Sequence, residues 1–243
     1  MKVGIGISSY NRQDSLYDCL NGVRKFTNRK CEVLVSDDGS MDNSVDVAKI
    51  LGFKVIANQN KGVAYNKNRL LYNLMLKGCD VVILLEDDVM PVADGWEDIW
   101  IEGAKTYGSV FFLTNCDVGK GTLVSPFISK DTTAQLLALD REAITKVGFF
   151  NPRFKGFGFE HCEYQNRLAI NGFGGINIIQ GFSFFALNSD KIVNLNVEST
   201  ADEDKLAQNS KLYAETFGEK NFVTPVLSKD EVNTFRQEAF NYV

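Results

Sequence analysis

The chain has 243 residues, 44% of them hydrophobic, with 20 glycines, 4 prolines and a net charge of −5 at neutral pH. That composition supports a sizeable core in one large domain or two small ones, and it excludes a disordered chain. Six acids against two bases lie between Glu198 and Glu219 and carry most of the negative charge, and the remainder is far from the strongly basic surface of a non-specific nucleic-acid binder.

No stretch approaches the ~20 apolar residues of a membrane span. The apolar run after Lys2 is broken at Asn11 and Arg12, so it does not read as a signal peptide. Five widely spaced cysteines (Cys19, Cys31, Cys79, Cys116, Cys162), without a C-x-x-C, read as free thiols in a reducing cytoplasm.

In chain order, Val3 to Ser8 is an apolar run fit for a strand. Asp14 can cap a helix whose apolar positions Leu16, Cys19, Leu20 and Val23 follow helical spacing. Glu32 to Ser36 is a second strand, Asp42 opens a helix ending near Gly52, and Lys54 to Asn58 is a third strand. A helix over Ala64 to Lys77 carries Leu71, Leu74 and Met75 on one face. Val81 to Leu85 is continuously apolar, as expected of a central parallel strand covered on both faces. Strands joined by helices predict a parallel sheet with right-handed crossovers.

The second half is less regular. Trp96 and Trp100 sit four apart on an expected helix, Val110 to Thr114 and Leu136 to Leu139 are candidate strands, and Phe149 to Phe159 is a Gly- and Phe-rich loop. Its aromatics are expected to pack beneath a site rather than all line one. A helix from about Glu160 to Asn171 follows, then a strand over Ile176 to Ile179. The tail predicts an acidic helix from Ala201 to Phe217 and another after a capping box at Ser228 to Glu231.

Open parallel sheets bind ligands beyond the carboxyl ends of their strands. Four expected strands end in polar runs: Ser8 to Arg12, Ser36 to Ser40, Asn58 to Gly62, and Glu86-Asp87-Asp88. Crowded carboxylates at a strand end suit Mg²⁺ or Mn²⁺, hard ions that share their coordination sphere with phosphate oxygens. The same triplet also reads as a solvated turn in which Asp88 or Asp94 caps the next helix. Asp37 and Asp38 can accept from an N–H edge such as that of uracil, or build an Asx turn. Arg12, Lys61 and Lys67 are within reach of a diphosphate, or are ordinary surface cations.

Ser9-Tyr10-Asn11-Arg12, Asp37-Asp38-Gly39-Ser40-x-Asp42, Asn60-x-Gly62-x-Ala64-x-x-x-Asn68 and Leu85-Glu86-Asp87-Asp88-x-x-Pro91 together resemble the family 2 glycosyltransferases of the GT-A fold. The likeness spans roughly the first 95 residues. It continues in Gly156-Phe157-Gly158-Phe159-Glu160-His161-x-Glu163-x-x-x-Arg167, which is similar to the family's G-x-x-E-D…R segment. The resemblance implies an α/β GT-A (Rossmann-like) fold: a mostly parallel central sheet flanked by helices, with a C-terminal helical extension. Residues 1–95 would form a nucleotide-sugar-binding half, 96–195 an acceptor-binding and catalytic half of the same domain, and 196–243 the extension.

It further implies a metal-dependent inverting transfer from a nucleotide-sugar, UDP-linked by analogy, to a hydroxyl acceptor on a glycan, lipid, protein or modified nucleic acid. Ser9, Tyr10, Arg12, Asp37, Asp38, Lys67 and Asp87 would bind the donor. Asp88, with Glu86 acting through water, would hold Mn²⁺ or Mg²⁺. The base falls at His161 or Glu160, with His161 placed first because a helix N-terminus near a dication should keep imidazole neutral. Glu163 is a lesser candidate that can instead pair with Arg167. The chain departs from the pattern at Ser8 (proline), Lys67 (arginine), Glu86 (aspartate) and His161 (aspartate), and it has no Q-x-x-R-W of a processive synthase. The rival readings are a sugar nucleotidyltransferase, which should carry a Gly-rich basic loop after its first strand, and a nucleotide-sugar-binding protein without activity.

Overall fold

The structure, a computed structural model, describes residues 1–57, 59–113, 121–129, 132–178, 181–197, 202–217 and 229–240. Asn58, Thr114, Cys116, Ile179, Ala201 and Ser228, assigned from sequence to element ends, a thiol and a helix cap, lie outside those residues.

The first half alternates as expected: β1 (Val3–Ser9), α1 (Gln13–Phe26), β2 (Cys31–Asp37), α2 (Ser44–Ile50), β3 (Lys54–Ala57), α3 (Val63–Leu76) and β4 (Val81–Glu86). β1 pairs in parallel with both β2 and β4, and β2 with β3. There follow β5 (Val89–Pro91), α4 (Asp98–Tyr107), β6 (Ser109–Phe112), β7 (Phe127–Ser129), β8 (Thr133–Asp140), α5 (Arg141–Val147) and α6 (Glu160–Ile170). The chain then forms β9 (Gly175–Ile178), β10 (Gly181–Leu187), β11 (Ile192–Asn194), α7 (Glu203–Thr216) and α8 (Lys229–Phe240).

The main sheet runs β3-β2-β1-β4-β8-β6-β10-β7, with β9 beside β10, and β5 and β11 form a separate antiparallel ribbon. The result is an α/β GT-A, Rossmann-like fold. β4 is buried on both faces as its composition demands, but its second neighbour, β8, is antiparallel. Period and apolarity announce a covered strand; they do not give its neighbour's direction.

Each sheet face buries its own core. Ile5, Ile7, Ile83 and Leu85 point toward the α1 and α4 side, while Val82 and Leu84 meet Leu70 and Leu74 of α3. The alternating glycines of β1 let α3 approach: a Cβ on Gly6 would sit 3.0 Å from Leu70 Cβ. α8 returns to α3 through Phe235, fully buried, whose ring lies 5.1 Å from that of Tyr65 and 5.5 Å from that of Tyr72.

Several local expectations are corrected. Asp14 stands inside the first turn of α1 rather than capping it. Asp42 serves both helices, accepting from the Gln13 N–H of α1 and the Ser44 N–H of α2, each at 3.0 Å. Trp96 and Trp100 are both buried, but Trp96 lies ahead of α4 and donates to Thr27 Oγ1. Phe150 and Phe154 pack in the core whereas Phe157 is 43% exposed. Among the described residues the cysteines form no disulfide, and no helix is long and apolar enough to cross a membrane.

Candidate active site

Parallel register gathers the polar strand ends. Ser9 lies beside Asp37 and Ser8 beside Glu86, so three motifs remote in sequence share one sheet edge. A cavity of about 410 Å³ opens there, lined by Ser9, Tyr10, Arg12, Asp38, Glu86 and Asp87 among others. Lys67, Asp37, Asp88, Glu160 and His161 are not part of its lining.

The two acids after β2 divide their work. Asp37 turns back on its own loop, accepting from the backbone N–H groups of Gly39 and Ser40 at 3.1 and 2.9 Å and from the Ser40 hydroxyl. It is the Asx-turn residue. Asp38 reaches the cavity and accepts from the N–H groups of Lys61 and Gly62 at 2.9 and 2.8 Å. Burial pushes Asp38 up to about 6, against the pull of those N–H groups and of Arg69.

The acid run is also divided. Glu86 Oε1 receives Lys67 Nζ at 2.6 Å, and the same ammonium donates to Ala134 O at 3.1 Å. Lys67, expected to reach a diphosphate, is only 2% exposed and is spent on this pair. Arg12 does face the site: its Nη1 lies 3.2 Å from Asp87 Oδ1 and 3.4 Å from Asp88 Oδ2. Gln135 Nε2 donates to Asp88 Oδ2 at 3.0 Å. Asp87 Oδ2 and Asp88 Oδ1 remain buried without a hydrogen-bond partner. Burial pushes Asp87 up to about 7, opposed by Arg12, and raises Asp88, with the Glu86 charge adding to the effect. Two carboxylate oxygens stripped of water and partner are costly unless a cation or proton joins them.

At the start of α6, His161 Nδ1 lies 3.4 Å from Glu160 Oε1 and Nε2 lies 3.3 Å from Cys162 Sγ. Burial disfavours the imidazolium, but these contacts outweigh it and raise His161, while the His161 partner lowers Glu160 against its own burial. The contacts with Cys162 and Glu160 thus favour the protonated ring, the opposite direction to the neutral imidazole expected from the sequence. Glu160 Oε2 is buried without a partner. Glu163 pairs with Arg167 as the alternative expectation had it, both of its oxygens accepting from the guanidinium at 2.5 and 2.9 Å. Arg167 also donates to Val147 O and Phe149 O, pinning the loop ahead of the helix. Asn68 ties the same loop to α3 by accepting from Phe150 N–H at 2.8 Å and donating to its carbonyl at 2.9 Å.

One wall of the cavity includes residues of the C-terminal extension that no motif points to. Gly156, Phe157, Asp202 and Lys205 line it, so the start of α7 closes over the site. Asn209 of α7 donates to the carbonyls of Lys155 and Phe157 at 2.8 and 3.0 Å. An asparagine within an acidic helix gives no signal of this. The Gly156-Phe157-Gly158 spacing did give one, since a Cβ on Gly156 would meet Lys205 Cδ at 2.6 Å.

A family model described as glycosyl transferase family 2 matches residues 5–126, half of the chain. The chain belongs to glycosyl transferase family 2. The match runs past the motifs of the first 95 residues, and the Glu160–Arg167 segment lies beyond it. Among solved structures, this family 2 member is similar to the mannosyltransferase PcManGT from Pyrobaculum calidifontis in complex with GDP-Man and Mn²⁺ (15% identity, TM-score 0.55, 77% of this chain and 54% of that one). It is also similar to S. aureus TarS 1-349 in complex with UDP (12%, 0.59, 99% and 71%) and to GalNAc-T7 with UDP, GalNAc and Mn²⁺ (14%, 0.64, 99% and 54%). The chain thus spans about half the length of the mannosyltransferase and of GalNAc-T7. No curated protein matches it.

Proposed function

We propose that this family 2 member is a metal-dependent, inverting glycosyltransferase that moves a sugar from a UDP-linked donor to a hydroxyl acceptor. The observation that carries the reading is the sheet-edge cavity lined by Tyr10, Arg12, Asp38 and Asp87, where Arg12 also reaches Asp88 and one buried oxygen of each of Asp87 and Asp88 has no hydrogen-bond partner. The similar structures that contain GDP-Man or UDP together with Mn²⁺ support it.

The residues present fit a divalent cation. Among the described residues no three ligand-type side chains converge on one point, and a Mg²⁺-like ion needs only one or two carboxylates plus phosphate oxygens and water. Asp88 would hold it through Oδ1, with Asp87 beside it. Glu86, engaged with Lys67, would act through water. Bound there, the cation neutralises charge on the departing diphosphate.

The chain's own residues supply the rest. Tyr10 offers a ring face and Arg12 a guanidinium to the nucleotide and its diphosphate, and Ser9 and Asp38 line the same wall. Inversion needs one base to take the acceptor hydroxyl's proton. We assign it to Glu160, whose Oε2 is unpartnered, with the His161 imidazolium orienting the carboxylate. Residues 1–95 form the donor half and 96–195 the acceptor half, while the extension contributes Asp202 and Lys205 to the donor wall.

The direct test incubates the purified chain with Mn²⁺ and a panel of UDP-, GDP- and dTDP-sugars, measuring thermal shift and donor hydrolysis. A shift and hydrolysis with UDP-sugars are expected. No shift with any donor overturns the transferase reading, and a preference for GDP- or dTDP-sugars overturns the UDP assignment.

A further inference from the structure

Asp88 is held by a chain of hydrogen bonds whose polarity is fixed at its far end. Asn196 adopts a positive φ of 51°, and its backbone N–H donates to Asn194 Oδ1 at 2.7 Å. An N–H can only donate, so the oxygen of the Asn194 amide faces Asn196 and its nitrogen faces the other way. Asn194 Nδ2 donates to Gln135 Oε1 at 3.0 Å. With its oxygen occupied, the Gln135 amide presents Nε2, which donates to Asp88 Oδ2 at 3.0 Å. The backbone of the same strand end adds a further tie, because Leu195 N–H donates to Asp88 O at 2.8 Å.

The consequence is a sorted carboxylate. Oδ2 is occupied by Gln135 and Arg12, while Oδ1 is buried and has no hydrogen-bond partner. A cation ligand must offer one oxygen in a fixed direction, and partners behind a ligating carboxylate set that direction. The relay joins elements far apart in sequence: Gln135 on β8, Asn194 on β11, and Asp88 between β4 and β5. Pairing of β11 with β5, with Asn194 opposite Val89, keeps the three in place.

We infer that Gln135 and Asn194 are positioning residues that orient Asp88 for a divalent cation, with the left-handed turn at Asn196 setting the sense of the relay. The inference rests on the metal reading above. Replacing Asn194 by aspartate would leave no donor for Gln135 Oε1. The Gln135 amide would then turn its nitrogen toward the new carboxylate and its oxygen toward Asp88 Oδ2, which repels it.

The test is a Mn²⁺ titration of the full chain followed by EPR, with no donor or acceptor present and melting curves taken to verify folding. Wild type should bind, and Asp88→Ala should abolish binding. Gln135→Ala and the similarly sized Gln135→Met should each weaken Mn²⁺ binding by roughly tenfold or more, the range seen for groups behind metal ligands. Asn194→Asp should weaken it as well. The double variant Gln135→Ala/Asn194→Asp should bind no worse than Gln135→Ala alone, because Asn194 acts only through Gln135. Wild-type affinity in folded Gln135→Met, or independent losses that multiply in the double variant, overturns the relay while leaving the metal reading intact. Absence of Mn²⁺ binding in wild type both alone and with UDP added, or unchanged binding in Asp88→Ala, overturns the metal reading and the relay with it.

Discussion

Lys67 Nζ stands 2.6 Å from Glu86 Oε1, with the lysine side chain 2% exposed and the glutamate 19%. The pair fastens α3 to the end of β4, two elements whose ends line the sheet-edge cavity. Removing one partner of a buried pair strands the other charge. Lys67→Met should therefore destabilise the chain by about 3 kcal/mol in urea unfolding, the low end for such pairs because Glu86 keeps some water. Glu86→Gln in the same background should recover part of the loss, with a coupling of roughly 1–2 kcal/mol. Additive losses would show that the two side chains do not depend on each other.

Asp87 makes the metal-free chain sensitive to pH. Burial lifts its folded pKa to about 7, from an unfolded carboxylate near 3.9. Between those values the folded state holds a proton that the unfolded chain has released, so stability falls as pH rises through the window. The loss without divalent ions should be roughly 4 kcal/mol in all from about pH 4 to pH 8, with about 1.4 kcal/mol of it between pH 6 and pH 8, and added Mn²⁺ should offset it. Mn²⁺ affinity should rise with pH up to about 7, by as much as about tenfold per unit for one released proton. Unfolding curves and Mn²⁺ titrations at pH 6 and 8 check both signs. Apo stability that rises over this window would remove Asp87 as the titrating group.

The Glu160–His161 contact predicts the shape of the activity profile. Glu160 is held below the ordinary carboxylate range and His161 above the ordinary histidine range, so neither changes charge near neutrality. At saturating Mn²⁺ and donor, this pair should contribute no limb to kcat near ~6.5. Glu160→Gln should lower kcat by about 10²-fold or more with Mn²⁺ binding retained. His161→Asn should cost less and should bring a limb into view as Glu160 rises toward an ordinary value. A wild-type limb near ~6.5 that disappears in His161→Asn would return the base to His161.

The half of the chain that was legible repeats one local unit. Each strand and helix of the first ninety residues carries its own apolar period, and the binding rule for parallel sheets then puts the polar ends together. What stayed hidden depends on partners remote in sequence. β5 and β11 are three-residue strands that pair across about a hundred positions, too short to show alternation. Asp37 and Asp38 are chemically alike, and only the approach of the Lys61–Gly62 backbone decides which of them builds the turn. The charge on Lys67 reads as surface until α3 is laid on the sheet and Glu86 meets it.

Gly62 and Gly156 meet backbone to backbone at the edge of the cavity. Val63 N–H donates to Gly156 O at 2.9 Å, and a Cβ on Gly62 would lie 2.5 Å from Gly156 N. Gly62 also holds φ at +93°, where side chains are strained. Gly62→Ala therefore combines strain with a backbone clash and should cost about 2–4 kcal/mol. Gly78 separates the two effects, because its φ is +77° but nothing lies within 4 Å of an added Cβ. Gly78→Ala should cost only about 1 kcal/mol of backbone strain and leave donor binding untouched. In Gly62→Ala the wall carrying Gly156 and Phe157 must shift, so donor KM should rise several-fold while Gly78→Ala keeps the wild-type value. Equal KM in the two variants would mean that this contact does not shape the donor site.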